Sequence, residues 1–197
     1  EFVISFIIMG LSTSLPELFI GITSALAKNS ALALGTVIGA NIADLTFVIG
    51  IAVILSRSIK IGSKKIQRDA LYMVFIAALP IALMLLGNKL SRIDGLILIA
   101  VFLFYMYHLI KERRGFKKEI KERITHLDIV LNVIIFILSL VLLYLSANFV
   151  VDYATKISLE LLLPPILVGL FLIAIGTTLP ELTFSVQAVM EKYPEMA

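Results

Sequence analysis

Apolar residues gather into six long runs, near Phe2 to Leu26, Leu32 to Leu55, Ala70 to Leu86, Gly95 to Ile110, Ile129 to Val151 and Pro164 to Met190. A hydrocarbon core about 30 Å thick is crossed by roughly 20 helical residues rising 1.5 Å each, so every run predicts a transmembrane helix. The third and fourth runs are the shortest and draw on flanking residues. Pro80 inside the third predicts a kink, because proline lacks the N–H that would bond one turn back.

Two of these runs are interrupted in the same way. Thr13-Ser14-Leu15-Pro16-Glu17-Leu18 stands in the first and Thr177-Thr178-Leu179-Pro180-Glu181-Leu182 in the sixth, superposed without a gap by an offset of 164 positions. A carboxylate at bilayer depth costs a few kcal/mol even on lenient scales, and such groups mark ion or substrate pathways by default. Each proline also withholds a donor from the preceding turn, which directs attention to the carbonyls around Gly10 to Thr13 and Ala174 to Thr177.

Basic residues set the expected orientation. The stretch between spans two and three and the stretch between spans four and five together hold twelve of the 17 Lys and Arg residues, so both are expected on the cytoplasmic side. The two Leu-Pro-Glu copies then lie on spans five crossings apart, whose helices traverse in opposite directions. Inverted repeats with interrupted helices meeting near the midplane are a common transporter architecture. The expected organisation is a first repeat over 1–110, lacking its first helix, a short basic cytoplasmic loop over 111–127, and the start of the second, inverted repeat over 128–197. The repeat argument extrapolates to about ten spans in all, of which six are expected in these residues.

The chemistry at the interruptions is all oxygen: two carboxylates, four hydroxyls and adjacent carbonyls. Such ligands suit hard cations, calcium with its six to eight oxygens above all, and sodium besides. Magnesium, which demands strict octahedral geometry, is a poorer match. His108 and His126 are far in sequence from the carboxylates, so a transition-metal site is not expected. Span two adds Gly35, Gly39 and Ala43, small residues four apart that let another helix approach closely. Asn41 and Asp44, at i and i+3, are expected to project from about the same face.

Composition narrows the class. Apolar residues make up 60% and charged residues 16%, with a mean hydropathy of +1.04. An all-α integral membrane protein is expected, embedded in the lipid bilayer. No basic groove with aromatic platforms suggests nucleic acid. There is no cysteine, hence no disulfide framework and no thiolate metal site.

The paired motifs, followed in the first copy by Gly39-Ala40-Asn41-Ile42-Ala43-Asp44, closely resemble the alpha repeats of the sodium/calcium exchanger branch of the calcium/cation antiporter superfamily. The short basic loop resembles the compact prokaryotic type. The resemblance implies an inverted-repeat antiporter exchanging calcium for sodium by alternating access, with spans one and six tilting against a packed remainder. It also implies no enzymatic activity and no cofactor beyond the transported ions. Glu17 and Glu181 are implied as the central calcium ligands, with Thr13, Ser14, Thr177, Thr178 and the carbonyls of Gly10 and Ala174 serving sodium and calcium sites. Asp44 takes the polar position of span two, and Asn41 is divided between ligand and interhelical contact. Ala40 and Asp44 depart from the serine and asparagine common in the family, which bears on potassium dependence and proton competition. Rival readings are a calcium/proton exchanger, in which Glu17 or Glu181 alternates between protonated and calcium-bound forms, a cation channel, and a membrane scaffold. The cell membrane is the expected location; oligomeric state is not legible.

Overall fold

The computed structural model describes residues 10–56, 64–87, 89–112 and 126–190. The expected cytoplasmic residues at 57–63 and 113–125, the start of the first run and the last seven residues lie outside them. The described residues form helices without strands: α1 (Leu15–Leu26), α2 (Ser30–Ala43), α3 (Ile49–Ser56), α4 (Lys64–Gly87), α5 (Arg92–Glu112), α6 (His126–Glu160), α7 (Pro165–Leu167), α8 (Ala174–Thr177) and α9 (Leu179–Met190). A helical turn at 10–13 leads into α1. Two π-helical segments, Asp44–Val48 and Val168–Ile173, join α2 to α3 and α7 to α8.

Four stretches are long and apolar enough to cross a membrane: Ser30–Ser56, Ala70–Gly87, Val130–Glu160 and Pro165–Met190. The first predicted span begins among residues that are not described, and the fourth lies within the 21 residues of α5. Large apolar side chains are turned outward along these helices, among them Leu71, Val74, Phe75 and Leu86 on α4 and Ile135, Phe136 and Leu142 on α6. A bilayer is the solvent for which that surface is suited. The protein is an all-α integral membrane protein.

The chain divides into two compact units, α4 packed with α5 in one and the remaining helices in the other. Pro80 is carried inside the continuous helix α4. Helix α6 runs nine residues past the predicted end at Val151. Asp152 and Lys156 lower the hydropathy there but pair at i,i+4 with a 2.7 Å contact, and Lys156 lies over the Tyr153 ring at 4.9 Å, so the helix continues where the apolar pattern stops.

Span two is the centre of the larger unit. Helix α2 packs against α1 on one side and against α7, the second π segment and α8 on the other, while α3 packs against α9. Glycine makes the central contact. A Cβ at Gly35 would collide with the Ile166 carbonyl, one at Gly39 with the Leu170 carbonyl, and one at Gly169 with the Leu32 carbonyl and the Thr36 amide. The two spans therefore touch backbone to backbone, the close approach that the small-residue spacing of span two predicts. Around the contact Leu32, Thr36, Val168, Ile173 and Ala174 are buried.

Candidate functional site

The two Leu-Pro-Glu copies adopt the same backbone. Ser14 lies at φ −81°, ψ −1° and Thr178 at φ −84°, ψ −1°, each just before the helix that carries its proline in the first turn. The hydrogen bonds repeat as well. Ser14 N–H donates to the Gly10 carbonyl (3.3 Å) and Leu18 N–H to Ser14 (3.1 Å); Thr178 N–H donates to Ala174 (3.0 Å) and Leu182 N–H to Thr178 (3.0 Å). Each break is thus a bend of one residue, bridged by amide bonds on both sides.

The bend alters the expectation for the carbonyls. Gly10 accepts from the hydroxyls of Thr13 (3.2 Å) and Ser14 (2.9 Å) as well as from an amide, and Ala174 accepts from Thr177 (3.1 Å). Thr178 donates instead to Ile175 at 3.2 Å. All four hydroxyls bond back onto their own helix. Withheld by Pro180 is the donor for the Gly176 carbonyl, four residues earlier, rather than for Ala174.

Glu17 stands against Thr177 of the other copy, and Glu181 against Thr13. A hydroxyl has one proton to give. The Thr177 hydroxyl lies within reach of both the Ala174 carbonyl and Glu17, and the Thr13 hydroxyl within reach of both the Gly10 carbonyl and Glu181, so in each copy one proton serves two competing acceptors. Oε2 of Glu17, Oε2 of Glu181 and Oδ1 of Asp44 are buried without a hydrogen-bond partner. The three charges also act on one another: Glu17 feels Glu181 and Asp44, and Asp44 feels Glu181. Buried oxygens in this arrangement lack positive charge, which a proton or a cation could supply.

Their carboxylates do not close onto one point. Among the described residues no three acidic or imidazole side chains form a group that could hold a metal ion. A bound ion would draw on the hydroxyl and carbonyl oxygens beside them. Asp44 begins the first π segment, and the second ends immediately before Ala174. Such one-turn widenings recur at functional sites. Nothing in the sequence signals them.

Asn41 does not share the surroundings of Asp44. Its exposed side chain donates to the Val37 carbonyl of its own helix at 2.9 Å, whereas Asp44 is half-buried. The turn between them is ordinary α-helix, with the Asp44 N–H donating to the Ala40 carbonyl, and the π turn lies beyond Asp44. His108 is exposed on α5.

The copies differ in cover. Ala174, Thr177 and Thr178 are buried under span two, while Gly10 and Ser14 are exposed. Beside the bends a cleft of about 420 Å³ opens between α1, α6 and the sixth span, lined by Pro16 and Ile20, by Ala147 and Val150, and by Gly176 and Thr177. Above it, Asn29 Nδ2 donates to Thr155 Oγ1 of α6 at 3.2 Å while Asn29 Oδ1 accepts from Leu32 N–H, capping α2. An asparagine directly before an apolar run is a helix-start signal that the sequence does carry.

The family model described as "Sodium/calcium exchanger protein" matches residues 1–111 and 131–197. Among curated proteins, the chain is 30% identical over 190 residues to an uncharacterized membrane protein of Methanocaldococcus jannaschii, covering 95% of this chain and 61% of that protein. It is 28% identical to the inner membrane protein YrbG of Escherichia coli, over 99% of this chain and 62% of that one. It is 26% identical to the putative antiporter CaxA of Alkalimonas amylolytica, over 99% and 63%. The chain thus spans about three fifths of the length of these relatives. No solved structure matches it significantly.

Proposed function

Since the chain belongs to the sodium/calcium exchanger family, we propose that it forms the ion-binding part of a secondary antiporter that moves calcium against sodium across the cell membrane, with its basic loops inside. One observation carries the reading: each break sets a carboxylate beside the hydroxyl of the other, and Oε2 of each is buried without a donor. Calcium accepts six to eight oxygens at variable distances, and Glu17, Glu181, Thr13, Thr177 and neighbouring carbonyls offer a flexible set of that kind. Ser14 and Thr178 contribute to sodium positions, the Gly10 and Ala174 carbonyls join them where an ion replaces their hydroxyl donors, and Asp44 adds a third negative charge. The exposed Asn41 has a lesser part.

Exchange follows from competition. Two ions that need overlapping oxygens exclude each other, and a site with neither leaves neighbouring buried carboxylates without a counter-charge. That empty state is disfavoured, so reorientation is favoured when the site is loaded. The glycine contact couples spans two and six. With backbones touching at Gly35, Gly39 and Gly169, a tilt of spans one and six against the remainder would carry span two with it.

A calcium/proton exchanger is the second reading, because three mutually repelling carboxylates are neutralised by protons as well as by cations. Calcium uptake into vesicles of the complete protein separates the two. Uptake driven by an outward sodium gradient at equal pH supports sodium coupling; uptake driven by a pH gradient without sodium supports proton coupling. Ion flux with single-channel currents and no counter-ion would refute both.

A further inference from the structure

The cleft beside the bends is long and almost wholly apolar. Its wall on α6 begins at Leu143, next to the contact of Tyr144 with Phe19, and ends at Ile157, next to the tether of Thr155 to Asn29. Those limits are about 21 Å apart along the helix, so the cleft is drawn out into a slot. Pro16, Gly176 and Thr177 form its deep end, and the tether marks its mouth. Apart from Ser146, Tyr153 and Thr177, every side chain on the wall is apolar. A water needs two to four polar partners, and apolar cavities stay dry. The slot therefore comes close to the carboxylates without offering a hydrated ion a route to them.

Its mouth has a different chemistry. Tyr153 lines the slot there, with Lys156 Nζ 4.9 Å from the centre of its ring and Asp152 in turn 2.7 Å from Lys156. The apolar run of α6 has ended by this point, so a tyrosine, a cation and an anion stand together at the level of lipid headgroups. Val150, Tyr153 and Leu172 are exposed, which opens the slot to the surface that lipid covers.

We propose that the slot holds one acyl chain of a bilayer phospholipid whose zwitterionic headgroup meets this pair, its phosphate on Lys156 and its ammonium on Asp152. The chain closes the back of both bends with hydrocarbon. A chain in a bilayer is already out of water, so the slot selects by shape alone and the headgroup supplies the discrimination. The pair of Asp152 and Lys156 is more than half exposed and held weakly, so each member can exchange its partner for a headgroup charge. Over its last turns α6 carries Asp152 and Glu160 against Lys156, a balance that admits an ammonium and disfavours a headgroup that is only negative. A primary ammonium brings three N–H donors to the carboxylate, which makes ethanolamine the fitting headgroup.

The test is retention of lipid by the complete protein, purified in mild detergent and incubated with equal amounts of phosphatidylethanolamine and phosphatidylglycerol carrying the same chains. Native mass spectrometry should show a single phospholipid per chain, the ethanolamine lipid several-fold over the other. Val150→Trp, which fills the slot from its exposed wall, should abolish retention, and Phe149→Trp, exposed outside the slot, should not. Asp152→Lys, at an exposed position remote from the packing around Val150, should turn the preference toward the anionic lipid. Glycerophosphoethanolamine, the same headgroup without chains, should fail to compete. No retained lipid, or retention unchanged by Val150→Trp, would mean that the slot is empty or filled by another part of the protein, and either overturns the proposal. Equal retention of the two lipids, or competition by the chainless headgroup, overturns it as well. No ion moves in this assay, so its outcome is independent of the antiporter reading.

Discussion

The side chain of Asn29 caps α2 with its oxygen and grips Thr155 of α6 with its nitrogen, 3.2 Å away. One residue thus fixes the start of the span that carries Asp44 and ties it to a helix beside the cleft. The two roles are separable. Asn29→Asp keeps an acceptor for the cap and loses the donor to Thr155, whereas Asn29→Ala loses both, and loss of an N-cap costs about 1 kcal/mol. Thermal unfolding in detergent should therefore show Asn29→Ala less stable than Asn29→Asp, with Thr155→Val resembling the latter. Equal stability of the alanine and aspartate variants would show that the cap contributes nothing.

Backbone contact between spans two and six leaves no space for a methyl group. Gly39→Ala sets a Cβ against the Leu170 carbonyl and the Ala174 side chain, and overpacking of this type costs about 1–3 kcal/mol. Gly21→Ala meets nothing within 4 Å and is the control. The unfolding midpoint should fall for the first substitution and stay or rise for the second. A Gly39→Ala variant as stable as its parent would contradict the close approach.

The Thr177 hydroxyl lies between the Ala174 carbonyl and Glu17 and can serve either. Thr177→Ser keeps that oxygen and Thr177→Val removes it with little change of shape. Calcium binding by the complete protein should weaken about tenfold or more for valine, the scale of one interaction with a charged partner, and far less for serine. Similar losses in both variants would assign the threonine to packing alone.

Much of this arrangement was legible in the sequence because it depends on residues with few roles to choose from. Proline and glutamate inside apolar runs located both bends, and the spacing of Gly35 and Gly39 announced a close helix contact. What escaped depends on register rather than on residue type. A π turn beginning at Asp44 needs one extra residue in the turn and no particular side chain, so no motif announces it. Carbonyls expected free at Gly10 and Ala174 are occupied, because hydroxyls placed to serve an ion also reach their own helix. The length of α6 was underestimated since hydropathy measures lipid contact, whereas a helix persists beyond it on local pairs such as Asp152 with Lys156.

The central claim is that Glu17 and Glu181, mirrored across two bends, act on one cation, and equilibrium calcium binding to the purified complete protein tests it most directly. Glu17→Gln and Glu181→Gln should each weaken binding beyond the ~10–100-fold typical of losing an outer partner of a metal site, and the double variant should be little worse than either single one. Binding that survives both substitutions, or losses that simply add, would mean that the two carboxylates serve no common ion.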